Sequence, residues 1–220
     1  MTKVQTTLGS IVLFALMLNA CGPTPTGTVP DSLATIEAQA EDIIDITPGG
    51  AWENINADID AISEAWKNYQ PQAKKDDATQ AMLDSFDSAF SNLQMAASDQ
   101  DKAGTMQASN DISAVVVDLF DLYHPAIPAD VGRLDVLERQ VVFDTAVGNF
   151  NAVNDDLANI DKIWETLKPS VLAHDGQEAA DQFEAILSTQ AEAVDEKDSD
   201  TLTREARNAL ELVDVMEQLY

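Results

Sequence analysis

From Asp31 onward the apolar positions of this chain recur at helical spacing. Ile55, Ile59, Ile62, Trp66 and Tyr69 are separated by four, three, four and three residues, so they line one face of a helix. Val153, Leu157, Ile160, Trp164 and Leu167 repeat that stripe 98 residues later (66 to 164). Pro71 and Pro169 follow at the same offset, and Trp52 aligns with Phe150. A one-residue slip then brings Phe86 onto Phe183, Phe90 onto Leu187, Val115 onto Leu212 and Tyr123 onto Tyr220, at an offset of 97 (86 to 183). A weaker match of Ile36 with Leu134, and of Ile43 and Ile44 with Val141 and Val142, starts the correspondence earlier. No alternating or β-branched run argues for a sheet, since Val115, Val116 and Val117 sit inside a helical pattern. The pattern predicts an all-α fold of duplicated antiparallel helical-bundle units.

Each unit is expected to hold a short leading helix, Ser32 to Ile46 or Val131 to Ala146, and three longer ones. In the first unit these span Trp52 to Tyr69, Asp77 to Ala97 and Lys102 to Tyr123. In the second they span Phe150 to Leu167, Gly176 to Val194 and Thr201 to Leu219. Breakers divide them: Pro48, Gly49 and Gly50, then Gly148 with Asn149, and Pro125 with Pro128 between the units. Asp77 with Gln80, and Asp175 with Glu178, have the spacing of capping boxes. Helices of this length joined by short loops suit two separate bundles or one fused bundle; two bundles related by a pseudo-twofold are preferred.

The chain begins differently. One basic residue, Lys3, precedes the apolar stretch Ile11 to Leu18, and Leu18, Asn19, Ala20, Cys21 follow, the layout of a secretory signal cleaved beside small residues. This segment resembles the lipobox signal peptide of bacterial lipoproteins, with Cys21 as the residue to be lipidated. The apolar run, broken by Gly9 and Ser10, falls short of the roughly 20 residues of a spanning helix. The uncharged stretch Gly22 to Pro30, rich in Pro and Thr, reads as an extended tether with a reach of up to ~30 Å. The expected organisation is a signal peptide at 1–20, lipidated cysteine and tether at 21–30, helical unit one at 31–124, a linker at 125–130 and helical unit two at 131–220. The resemblance implies a protein of the cell envelope. Gly22 after the cysteine, rather than Asp, suggests the periplasmic face of the outer membrane in a two-membrane cell, and the outer surface in a single-membrane one.

Charge narrows the partners. Of 220 residues, 39 are acidic and 12 basic, a formal charge of −27, and loss of the signal with Lys3 makes it −28. Nucleic acid and anionic headgroups are poor partners for such a surface. Cys21 is the only cysteine, so no disulfide, thiolate metal site or covalent haem is open to the mature chain. The aspartates outnumber the glutamates, 26 to 13, which is odd for a helical protein because Asp is the weaker helix former. They read either as caps and solvated surface or as ligands for a hard cation.

The strongest candidate for chemistry is Asp118, Asp121 and His124, three residues apart at the end of a helix. That spacing puts two carboxylates and an imidazole on one side, a partial ligand set for a divalent metal, where two acids are disfavoured by the helix dipole. The alternative is two solvated acids and a capping histidine before Pro125. Asp99, Asp101 and Gly104 fit part of a calcium loop, but Ala103 and Asn110 stand where ligands are needed. Asp195, Glu196, Asp198 and Asp200 form a matching acidic turn, with Asp101 and Asp200 as caps. His174 and Glu178 lack the second histidine of a metalloprotease, and a haem held by Met82, Met95 or Met106 opposite a histidine is weaker than a core role. No nucleophile elbow, phosphate loop or di-iron motif is legible. The Tyr123 to Pro128 segment reads as a stiff linker or as the lining of a crevice between bundles. These features favour a lipid-anchored, non-enzymatic binding or scaffolding module with no cofactor and an envelope protein as partner. The alternative is a divalent-metal-binding envelope protein.

Overall fold

The computed structural model describes residues 27–220. The lipobox, Cys21 and the tether as far as Thr26 lie outside the described residues. Among the described residues the chain folds into eight α-helices and no strand: α1 Asp31–Ile46, α2 Trp52–Ala73, α3 Gln80–Ser98, α4 Lys102–Asp121, α5 Ala129–Ala146, α6 Phe150–Ala173, α7 Gln177–Glu196 and α8 Ser199–Glu217. The fold is all-α. None of these helices is long and apolar enough to cross a membrane.

Helices α1 to α4 pack around one core and α5 to α8 around another, each as an antiparallel ring in which the last helix closes on the first. The stripe of α2 is wholly inward: Ile55, Ile62 and Tyr69 are fully buried, Ile59 and Trp66 nearly so. The stripe of α6 does the same in the second bundle, from Val153 to Leu167. Trp66 stacks on Phe86 of α3 with ring centroids 3.7 Å apart, and Trp164 meets Phe183 of α7 at 4.8 Å. Burying a large aromatic on a facing ring adds to the cohesion of these helix pairs. The bundles meet where α4 and α5 run antiparallel, around Ala114, Val117, Ala129 and Val136.

Several ends differ from the expectation. Helix α2 continues through Pro71 to Ala73 and α6 through Pro169 to Ala173. Proline removes one hydrogen bond near a helix end, but Ala73 and Val171 are fully buried, and that packing outweighs the loss. Asp77 and Asp175 are not caps: both adopt left-handed backbone (φ 64° and 62°) just after the preceding helix. Thr79 caps α3 instead, accepting from the Met82 amide, and α7 starts at Gly176 without a side-chain cap. Asp101 caps α4 as expected, whereas α8 is capped by Asp198 rather than Asp200. Helix α5 begins at Ala129, inside the expected linker, because Pro128 precedes its first residue and supplies the carbonyl for Val131.

Candidate functional site: the seam between the bundles

The predicted triad is not assembled. Asp118 and Asp121, on the last turn of α4, both hold the guanidinium of Arg133 from the first turns of α5, at 2.9 and 3.0 Å, and Asp130 holds its other end at 2.7 Å. Burial alone would lower the Arg133 pKa, but the three carboxylates outweigh it and hold the group protonated. The positive charge that two acids at a helix C-terminus call for is therefore an arginine on the neighbouring helix. His124 is exposed, in left-handed backbone (φ 46°), with its amide on the Asp121 carbonyl. Among the described residues no group of three or more His, Asp or Glu side chains is placed to hold a metal ion.

The other sequence candidates are also dispersed. Asp99, Asp195, Glu196 and Asp200 are exposed. Asn110 is buried and donates to the Val136 carbonyl across the seam, 3.0 Å away. His174 lies against the Tyr220 ring with Nδ1 2.9 Å from the Ser170 carbonyl, while Glu178 accepts from Gln182. Met95 is exposed on α3. The Tyr123 hydroxyl donates to Asp76 at 2.7 Å beside Tyr69, tying the connector to the first bundle.

The seam itself carries the concentrated polar chemistry. Beside the Arg133 cluster it brings Val117 against Gly132, where a Cβ would meet the valine methyl at 2.9 Å. Toward the far end Gln107 and Gln140 exchange amide bonds at 2.8 and 3.1 Å. Behind the seam Arg139 of α5 is mostly buried and bridges Asp135, at 2.6 Å, to Glu41 of α1, at 2.8 Å. Burial would lower its pKa, and the charges of Asp135 and Glu41 more than compensate.

Next to this arginine lies a groove of about 330 Å³ between α1, α4, α5 and α8. Five carboxylates line it, Glu37, Glu41, Asp135, Asp214 and Glu217, with Val117, Phe120 and Ala38 as apolar wall. Glu37 Oε2 is shut off from solvent, and the buried Ser113 hydroxyl of α4 lies beside this carboxyl. Burial and the nearby Glu41 charge push the Glu37 carboxyl up to about 8, against the pull of Arg139 and of Ser113. Asp135 is pushed up to about 7 by burial and by Glu41, Glu217 and Asp214, again opposed by Arg139. Glu217 is raised by burial and by Glu41 and Asp214. Like charges in a sheltered groove disfavour one another, which favours the protonated forms of these acids. A second groove, of about 420 Å³, opens beside α6 with Val136, Leu137 and Ile163 as floor and Arg133 and Lys162 among its lining residues.

The sequence reasoning passed over this set. The available signal marks a neighbour outside the groove: Glu138 stands at spacings of four and three between Leu134 and Val141, in the inward stripe of α5, and is fully buried against Gln190. A charged residue in a core stripe marks either a paired network or a site. The glutamates of the groove gave no such signal, because it takes four helices to bring them together.

The chain matches no protein-family model, and neither a curated protein nor a solved structure is found to be similar to it. The site therefore rests on its own geometry.

Proposed function

We propose that this chain is a lipid-anchored, non-enzymatic binding module of the cell envelope, attached through Cys21, which takes a positively charged group in the acid-lined groove at its seam. The observation that carries the binding reading is the gathering of five carboxylates, Glu37, Glu41, Asp135, Asp214 and Glu217, in one groove against Val117 and Phe120. The groove is far larger than one dehydrated ion, since a water occupies about 30 Å³ of liquid. Its apolar wall, with the Phe120 ring, suits an ammonium or guanidinium on a hydrocarbon stem. Such a group comes from a small organic amine or from a basic side chain of an envelope partner. The offset stripes and aromatics support reading the two bundles as copies of one unit.

The test is titration calorimetry on the full chain carrying Cys21→Ser, with spermidine, a lysine-rich peptide and Ca²⁺ in separate arms. Saturable binding of spermidine or of the peptide is expected, weakened by Glu41→Gln, with release of protons from the raised carboxyls at neutral pH. The stronger of the two amine arms identifies the source. Saturation by micromolar Ca²⁺ with no response to amines would replace this reading by the divalent-metal one. Flat traces in all three arms would remove the groove as a site.

A further inference from the structure

The first described residues lie against the connector between α4 and α5. The Gly27 amide donates to the carbonyls of Tyr123, at 2.9 Å, and His124, at 3.2 Å. A Cβ at Gly27 would sit 2.3 Å from the Tyr123 oxygen, so no larger residue fits there. Val29 packs on the core of the first bundle, and the Pro30 carbonyl accepts from Leu33 and Ala34 to start α1. The segment that reads as free tether in the sequence is thus held to the body along its last four residues.

That contact lies at one end of the molecule. Tyr123 reaches Asp76 past the end of α2, Gly132 near the start of α5 shares a groove with Glu217 at the end of α8, and Tyr220 donates to Ser170 near the end of α6. The same end exposes Ile127, Leu172, Lys74 and Lys75. The opposite end holds Pro48, whose carbonyl accepts from Lys102 at the start of α4, and the turn around Val147.

Resting on the lipid anchor proposed above, we infer that docking of Gly27 on the Tyr123–His124 connector sets how the body stands on a lipid surface, with the connector end toward the headgroups. Gly27 is six steps along the chain from Cys21, so the connector stays within roughly 22 Å of the anchored cysteine even when the chain is fully extended. The far end lies a further ~30 Å away, the length of the 20-residue α4. Without the dock, nine residues up to Pro30 reach ~32 Å and let either end turn down. The charge of −28 left after loss of the signal gives the body no affinity of its own for anionic headgroups, which leaves its orientation to the dock.

The experiment uses the full lipidated protein in phosphatidylcholine vesicles containing nitroxide-headgroup lipid. Cys21 is the only cysteine, so a cysteine placed by Ile127→Cys or by Val147→Cys is the sole free thiol for a fluorophore. Quenching several times stronger at position 127 than at position 147 is expected. Gly27→Val, and Gly27→Ala with the same Cβ, should abolish that contrast while fatty-acid label and helical circular dichroism stay at native levels. Equal quenching at the two positions in the native protein, or a contrast that survives Gly27→Val, would overturn this inference alone. No fatty-acid label on the native protein would overturn the anchor reading and this inference with it.

Discussion

Glu138 offers the sharpest test of how the second bundle is held. It is fully buried on α5, accepts from Gln190 Nε2 of α7 at 2.7 Å through Oε2, and leaves Oε1 without a partner. Burial pushes its carboxyl up to about 8, against the pull of the Gln190 bond. The folded state therefore keeps the proton to higher pH than the unfolded chain does. Its contribution to stability is whole below pH 4.5 and is lost as pH rises toward and through 8. At about 1.4 kcal/mol per pH unit, the displacement from 4.5 to about 8 bounds the loss at about 5 kcal/mol. Structural relaxation around a buried charge brings the expected loss nearer 2–3 kcal/mol. Glu138→Gln keeps the shape, removes the titration and offers its amide to Gln190 Oε1, which also lacks a partner. Thermal unfolding of both proteins from pH 5 to pH 9 reads the effect of Glu138 together with its coupling to Asp135 and Asp156, because raised acids not coupled to it, such as Asp58, cancel in the difference. The melting-temperature difference in favour of Glu138→Gln should widen by roughly 5–10 °C over that range. A constant difference would refute the burial argument.

Two further predictions concern packing and helix ends. Trp66→Ala and Trp164→Ala should each cost about 3–5 kcal/mol in urea unfolding, because each ring is buried against a phenylalanine of the next helix. Either variant unfolding at the native midpoint would contradict the core assignment. Gln100, exposed and in left-handed backbone after α3 (φ 54°), should gain about 0.5–1 kcal/mol when replaced by Gly, visible as a rise in melting temperature. A fall would show that the side chain does more than the backbone there.

What the sequence disclosed depended on how local the cause was. The stripes of α2 and α6 were legible because period and burial are properties of a single helix, and Asp101 was legible as a cap because its partner, Gly104, is three residues away. Asp77 is not legible, because composition cannot tell an N-cap from a left-handed residue that follows the preceding helix. The α2 end was drawn too short because Ala73 is held by packing that overrides Pro71. The sequence offers Asp118 and Asp121 as metal ligands or as solvated acids; Arg133, 12 residues beyond Asp121, becomes their neighbour only once the connector turns α5 back along α4. The groove lay further out of reach, since α1 meets α8 across 180 positions of sequence from Glu37 to Glu217.

The lipid anchor proposed at Cys21 would hold this acidic body at a membrane through a single residue. Metabolic labelling with a fatty acid, followed by membrane fractionation of the native protein and of Cys21→Ser, tests this directly. The account predicts label and membrane association for the native protein, and loss of both in Cys21→Ser with the helical content of the body unchanged. Label retained on Cys21→Ser, or a native protein that stays unlabelled and in the aqueous fraction, would contradict it.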